Sequence, residues 1–315
     1  MKRPENLVFR LGTGLFGLVL VLVVVAIGVE LSRQSWLSIQ KFGLNFWRTE
    51  TWDPVAGEFG ALPFIWGTLY SSILSLLIAA PIALGIAIFI SELCPNRLKP
   101  ALVFLTELLA AIPSIVYGLW GIFVLVPAVR AFEVSFPQSL KWIPLFSGPP
   151  FGLGMLAAAL ILAVMVIPFT SSVAREVLKS VPVAQREGAY ALGATRFEAI
   201  SAALFYARTG IVGAVLLGFG RALGETMAVT MVIGNNPRIS LSLFAPQHTM
   251  SAVLANEFTE AAEPLYLSAL IEIGLVLFVI TLVVNSLSRL LIWSMARPAR
   301  KAAATTVVPA VESAA

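Results

Sequence analysis

Apolar positions in this chain fall in long unbroken runs rather than in narrow stripes. Six runs are long enough for a membrane crossing, which takes about 20 predominantly apolar residues. They are Leu11–Val29, Pro63–Ile90, Ala101–Val129, Phe151–Thr170, Gly210–Gly234 and Pro264–Ile292. In lipid a single segment must satisfy its backbone polar groups internally, and a helix does so. The expected fold class is all-α, a polytopic membrane protein with six transmembrane helices. The second and third runs exceed one crossing, so they are expected to tilt, kink or extend past the lipid. Pro81 and Pro113 lie inside them, where a missing N–H and a ring clash bend a helix.

The intervals between the runs set the orientation. Lys2, Arg3 and Arg10 precede the first run, and Arg97 and Lys99 follow the second. Arg175, Lys179, Arg186, Arg196 and Arg208 follow the fourth, and Arg289, Arg297, Arg300 and Lys301 come at the end, fourteen in all. The opposite intervals hold six: Arg33, Lys41, Arg48, Arg130, Lys141 and Arg238. The positive-inside rule makes both termini cytoplasmic and turns the Trp-rich segment Glu30–Leu62 outward. The first run follows basic residues as a secretory signal would. Its core is too long and it lacks a small-residue cleavage site, so it reads as an uncleaved anchor. The resulting organisation is an anchor and outward loop over residues 1–62, a transmembrane domain over 63–292 with a cytoplasmic loop at 171–209, and a cytoplasmic tail at 293–315.

Composition agrees with the pattern. Of 315 residues, 58% are hydrophobic and 12% charged, with mean hydropathy +0.91, against about 25% charged in soluble domains. The lone Cys94 forbids an internal disulfide, and the lone His248 has no neighbouring ligands for a zinc site; neither is assigned a role. No metal, no cofactor and no nucleic acid is expected. Gly12-Thr-Gly-Leu-Phe-Gly17 fits G-x-G-x-x-G, but no strand precedes it, so close helix packing replaces nucleotide binding as its reading. No G-x-x-x-x-G-K-[ST] phosphate loop occurs, so ATP hydrolysis by that mechanism is excluded. No nucleophile–base constellation suggests another enzyme.

Charges inside the runs are the candidate chemistry. "GRALGETMAVTMVIG", Gly220–Gly234, carries Arg221 and Glu225, and a charge near the bilayer centre costs roughly 2.5–3.5 kcal/mol on insertion scales. Four residues apart on a helix, the two would share a face. Two readings fit: an ion pair that fixes packing, or a cation in a translocation path, restrained by Glu225 until an oxyanion arrives and suited to phosphate by its planar donors. Gly218, Gly220 and Gly224 would permit close helix approach. Glu107 would face a water-filled cavity or a partner's cation, and Glu272 is a weaker candidate. Tyr117 and Trp120 read as packing or interfacial residues. Trp36, Trp47 and Trp52 read as a headgroup belt or as contacts to an external protein.

The segment Ser171–Arg208 is too ordered in composition for a linker. Pro182 suits a first helical turn, Ala184–Leu192 reads as a short helix ended by Gly193, and Thr195-Arg-Phe-Glu198 fits a capping box. Such a helix either docks into a groove on another protein or lies on the lipid surface.

Glu187-Gly-Ala-Tyr-Ala-Leu-Gly193 resembles the EAA loop of ABC-importer permeases, whose usual form has Glu-Ala-Ala and a helix-ending glycine. Gly188 replaces the first alanine, at up to about 1 kcal/mol of local helix stability, and Phe205 stands where many relatives have the proline of a Leu-Pro pair. Trp52–Thr68, Ala111–Gly121 and Arg221–Asn235 resemble phosphate-uptake (Pst) permeases, and the Glu225–Asn235 ending is similar to their C-type subunit. The resemblance implies a type I ABC-importer permease fold and an ATP-driven phosphate permease in the bacterial inner membrane. It implies the partners as well: an A-type permease subunit, a cytoplasmic ATPase dimer, an extracytoplasmic phosphate-binding protein, phosphate and membrane lipid. It assigns Glu187, Gly188, Ala189, Leu192 and Gly193 to ATPase coupling, and Arg221, Glu225 and Glu107 to phosphate passage. The alternatives are an ion-coupled anion carrier or channel using Glu107, Glu225 or Glu272, or an ABC permease for molybdate or sulfate.

Overall fold

The computed structural model describes residues 4–140 and 142–305. Lys2, Arg3, Lys141 and the tail from 306 to 315 lie outside the described residues. Twelve α-helices follow in order among the described residues: α1 (Pro4–Gln34), α2 (Trp36–Phe42), α3 (Leu62–Ile88), α4 (Lys99–Ala111), α5 (Ser114–Trp120), α6 (Val126–Ser135), α7 (Met155–Lys179), α8 (Val183–Ala191), α9 (Arg196–Leu223), α10 (Met227–Val232), α11 (Met250–Glu257) and α12 (Pro264–Thr305). Wider π turns continue α3 through Phe89–Leu93 and join α5 to α6 through Gly121–Leu125. The described residues contain no strand beyond two isolated bridges. Six helical segments are long and apolar enough to cross a membrane: Phe9–Gln34, Leu62–Leu93, Ser114–Ser135, Met155–Lys179, Arg196–Leu223 and Pro264–Met295.

Two of the expected runs are broken. The third was read as continuous over Ala101–Val129, but α4 stops at Ala111 and the crossing runs from Ser114 to Ser135. Pro113 forces Ile112 out of the helical region (ψ 129°). The Tyr117 hydroxyl donates to the Leu109 carbonyl at 2.8 Å, which also accepts from the Ile112 N–H at 3.4 Å. The fifth run was read as Gly210–Gly234; the helix instead spans Arg196–Leu223, ends at Gly224, and restarts as α10. Pro81, by contrast, sits within a continuous α3.

α7 is the centre of the bundle, packed between α3 and α9. The contacts are lined with small side chains: Ser71, Ser72, Ser75, Ala79, Ala83 and Ala87 on α3, and Ala157–Ala159 and Ala163 on α7. On α9 the buried positions Ala199, Ala203, Ala207, Ala214, Gly218 and Ala222 form the equivalent stripe. Lipid offers apolar surface as good as leucine, so membrane helices gain by backbone approach and dispersion rather than by hiding bulk. Gly218 shows the limit: a Cβ there would lie 2.3 Å from Thr170 Oγ1.

At one end of the bundle α2 and residues 43–61 fold back as a cap. Phe46, Phe59, Phe64, Met250, Ala269 and Leu270 bury together in it. Trp52 packs edge-on to Phe59 and Phe64, both at 4.9 Å, and its indole N–H donates to Glu257 at 2.9 Å. Trp52 therefore belongs to the interior of the cap, not to a headgroup belt, whereas Trp36 is exposed.

Candidate functional site: a bare arginine at a helix break and a helix at the bundle's end

Arg221 sits in the last turn of α9. Its guanidinium lies over the Phe169 ring of α7, 5.4 Å from the centroid, and its buried Nε has no hydrogen-bond partner. Among the described residues no carboxylate comes within ion-pair distance of it. The shared helix face expected for Arg221 and Glu225 does not exist, because Gly224 ends α9 before Glu225. Glu225 belongs to the restart. Its carboxylate accepts weakly from Ala228 N–H at 3.5 Å, its carbonyl accepts from Ser251 Oγ at 2.7 Å, and α10 then packs on α5. A Cβ on Gly118 of α5 would meet Met231 Sδ at 2.5 Å, so the broken fifth segment closes on the broken third. Gly220 and Gly224 meet no neighbour closer than 3.6 Å; of the three glycines only Gly218 is required by packing within this chain.

Glu107 has a partner within the chain. It accepts from Arg175 Nη2 at 3.0 Å, and the same nitrogen lies 2.8 Å from Glu176. Arg175, placed among loop residues in the sequence reading, is a buried residue of α7. It lies six residues beyond Phe169, about 9 Å along the helix. The expected loop 171–209 is correspondingly shorter: residues 171–179 complete α7 and 196–209 belong to α9. Glu272 is buried in α12, with Oε2 unpartnered. His248 is buried against Phe64, and burial pushes its imidazole down to about 4 despite an opposing backbone hydrogen bond at Thr249. Tyr117 is buried, as expected for a packing residue.

At the other end of the bundle, α8 occupies Val183–Ala191, one residue from the expected Ala184–Leu192. Gly193 takes a left-handed φ of 81°, and the Ala194 N–H returns to the Ala189 carbonyl at 3.1 Å, which is how such a helix stops. Both halves of the Thr195–Glu198 capping box are formed. No residue of α8 is buried, and Tyr190, Leu192 and Phe197 are exposed, Leu192 at 91%. Glu187, Gly188 and Gly193 are exposed and Ala189 is half-buried. Arg186 turns inward and binds Glu92 at the end of α3, with Nη2–Oε1 2.6 Å and Nε–Oε2 3.2 Å. No sequence signal marked that pair, which joins residues 94 positions apart.

Six segments are long and apolar enough to cross a membrane, four of them before α8, and the fifth is broken beside a cation. The profile of the family described as "Binding-protein-dependent transport system inner membrane component" matches residues 82–297. The chain belongs to this family of inner membrane transport components. Its relatives include the "Phosphate transport system permease protein PstC" of Mesorhizobium japonicum, 47% identical over 86% of this chain and 85% of that protein. The Haemophilus influenzae protein of the same name is 47% identical over 91% and 93%. The "Probable phosphate transport system permease protein PstC" of Methanocaldococcus jannaschii is 40% identical over 79% and 81%. The resemblance to the C-type Pst permeases read from the sequence is thus borne out. A chain of a structure showing inward-facing conformations of the MetNI methionine ABC transporter superposes with TM-score 0.55 at 16% identity, covering 73% of this chain and 94% of that one. That likeness gives the transport components their fold, an ABC-importer permease bundle.

Proposed function

We propose that the chain is the C-type membrane-spanning subunit of an ATP-driven inorganic phosphate importer. It pairs with an A-type permease subunit, binds a cytoplasmic ATPase dimer through α8, and receives phosphate from an extracytoplasmic binding protein. The observation that carries this reading is α8 itself. A short helix with no buried side chain of its own, exposing Tyr190 and Leu192, is built to be covered by another protein. The names of the relatives supply the solute. Six crossings leave both termini on the side of α8, and the excess of lysine and arginine there makes that side cytoplasmic. Arg221 is the cation that meets the anion, Glu225 shapes the break beside it, and Glu107 takes part through its pair with Arg175. Glu187, Gly188, Ala189, Leu192 and Gly193 form the coupling surface. Hydrolysis of ATP belongs to the partner.

Co-purification tests the docking. Glu187→Arg puts an opposite charge on the exposed face of α8 without touching a buried contact. The permease should remain in the membrane while the ATPase is lost and phosphate uptake drops by about tenfold or more, as a charge reversal across an interface commonly costs. Retention of the ATPase with unchanged uptake would sink the docking role and favour a helix lying on lipid.

A further inference from the structure

α8 is tied to its neighbours in the chain by Ser180–Pro182 on one side and Leu192–Thr195 on the other, and no side chain of its own is buried. Apolar packing therefore does not fix it to the bundle. Arg186 does. It reaches both carboxylate oxygens of Glu92 and also donates to the carbonyls of Leu178 (3.1 Å) and Val181 (3.1 Å). The ion pair is well shielded, with side-chain exposures of 21% and 11%. A fork-on-fork pair of this kind fixes orientation as well as distance.

Glu92 stands in the π turn that closes α3, where helix-end carbonyls lack intrahelical partners. Those carbonyls are taken by basic residues from the neighbouring elements. The Arg196 guanidinium of α9 donates to the Glu92 carbonyl at 2.7 Å, and Lys99 of α4 donates to the Ser91 carbonyl at 3.2 Å. Ser91 Oγ donates to Glu92 Oε1 at 2.9 Å. The last turn of α3 is thus a hub on which α4, α8 and α9 converge. From that hub α3 runs back through the bundle against α7, the helix that carries Phe169 under Arg221.

We propose that the Glu92–Arg186 pair is the mechanical link of the transport cycle, a closed clasp through which displacement of α8 is delivered to α3 and the bundle core. This rests on the reading of α8 as the ATPase-docking helix. Both are positioning residues: neither faces the anion path, and Arg186 points away from the exposed face of α8. A shielded bidentate pair stays closed because separating its members would forfeit both N–H···O contacts at once, so α8 and the end of α3 move as one body.

The test uses the complete transporter in proteoliposomes with its binding protein, reading phosphate moved per ATP hydrolysed. Arg186→Gln, Glu92→Gln and the double variant should each keep the ATPase bound and hydrolysing while phosphate per ATP falls on the order of tenfold, within the range of a coupling free energy between sites. A pair that merely supports the fold would behave otherwise: the double variant, left with no unpaired charge, would recover the native ratio, and that recovery overturns the link. A second arm places Glu92→Cys and Arg186→Cys in a Cys94→Ser background and bridges them with a short bis-thiosulfonate. Bridging should raise the ratio back toward the native value and reduction should lower it again. Uptake that is blocked by the bridge and released by reductant would mean the contact has to open, which overturns a closed clasp. Loss of the ATPase from Arg186→Gln also overturns it, by making Arg186 part of the docking surface. Failure of the docking reading itself has a separate signature, an ATPase that stays bound to Glu187→Arg.

Discussion

Arg221 is a cation in an apolar bundle with one ring beneath it and no carboxylate against it. Arginine near a bilayer centre costs roughly 2.5–3.5 kcal/mol, and among the described residues no carboxylate offsets that by pairing. An oxyanion can, through two parallel N–H···O bonds. Because the pair with Glu225 is absent, Arg221→Gln strands no partner, and the variant should assemble with normal yield. Labelled phosphate uptake should fall by about one to two orders of magnitude, as expected when a charge-assisted bidentate contact is lost, with partial recovery in Arg221→Lys. Near-normal uptake in Arg221→Gln would return the residue to a packing role. His248 yields a pH prediction of the opposite kind. Its folded-state value, about 4, lies below the ordinary 6.5, so its neutral burial is fully stabilising above 6.5. That contribution is lost as pH falls from 6.5 toward 4, where the unfolded chain takes up the proton and the folded chain does not. Thermal melts in detergent should show a Tm that declines across this window. The decline should be shallower in His248→Asn by an amount equivalent to a few kcal/mol, and identical slopes would remove His248 from the account.

At the scale of elements, what could be read from the sequence was whatever depends on local chemistry. The capping box at Thr195, the stop at Gly193 and the position of α8 follow from neighbours in the chain, and all three were legible. Crossings were legible wherever apolar length alone decides, as in α1, α3 and α12. The two breaks were not read as breaks. Hydropathy does not distinguish a helix that continues from one that stops and restarts, since Gly224-Glu225-Thr226 is as compatible with a short polar patch as with a corner. Pro113 predicts a bend, and the complete stop at Ala111 is accompanied by a Tyr117–Leu109 hydrogen bond that no local pattern announces. Pro81, with the same local chemistry, stays within a continuous helix. The ion pairs of Glu107 with Arg175 and Glu92 with Arg186 join distant segments and leave no periodic trace. Their effect on the reading was systematic. Basic residues counted toward one side are in part anchors for the helix ends, so a charge census misjudges what individual members do.

At the scale of the molecule the question is where the energy enters. The chain has acids in its spans, Glu107, Glu225 and Glu272, and an ion-coupled carrier would use such groups to follow a gradient. Their placements argue against it. Glu107 is held by Arg175, Glu225 starts a helix, and Glu272 lies buried in α12 beside the cap, so the three do not form one relay. The opposite end of the bundle carries α8, uncovered and clasped to α3. On the proposed reading the work comes from a protein docked at α8, and uptake should be indifferent to the proton gradient. Membrane vesicles bearing the complete transporter, with ATP supplied to the face that carries α8, should hold their phosphate uptake rate when an uncoupler collapses the gradient. They should lose it when ATP is replaced by a non-hydrolysable analogue. Glu272→Gln should leave the rate within about twofold, since the substitution keeps the side chain's size and Glu272 has no part in the proposed path. Uptake that follows the gradient, persists without hydrolysable ATP, and disappears in Glu272→Gln would make the chain a carrier and leave α8 without its proposed work.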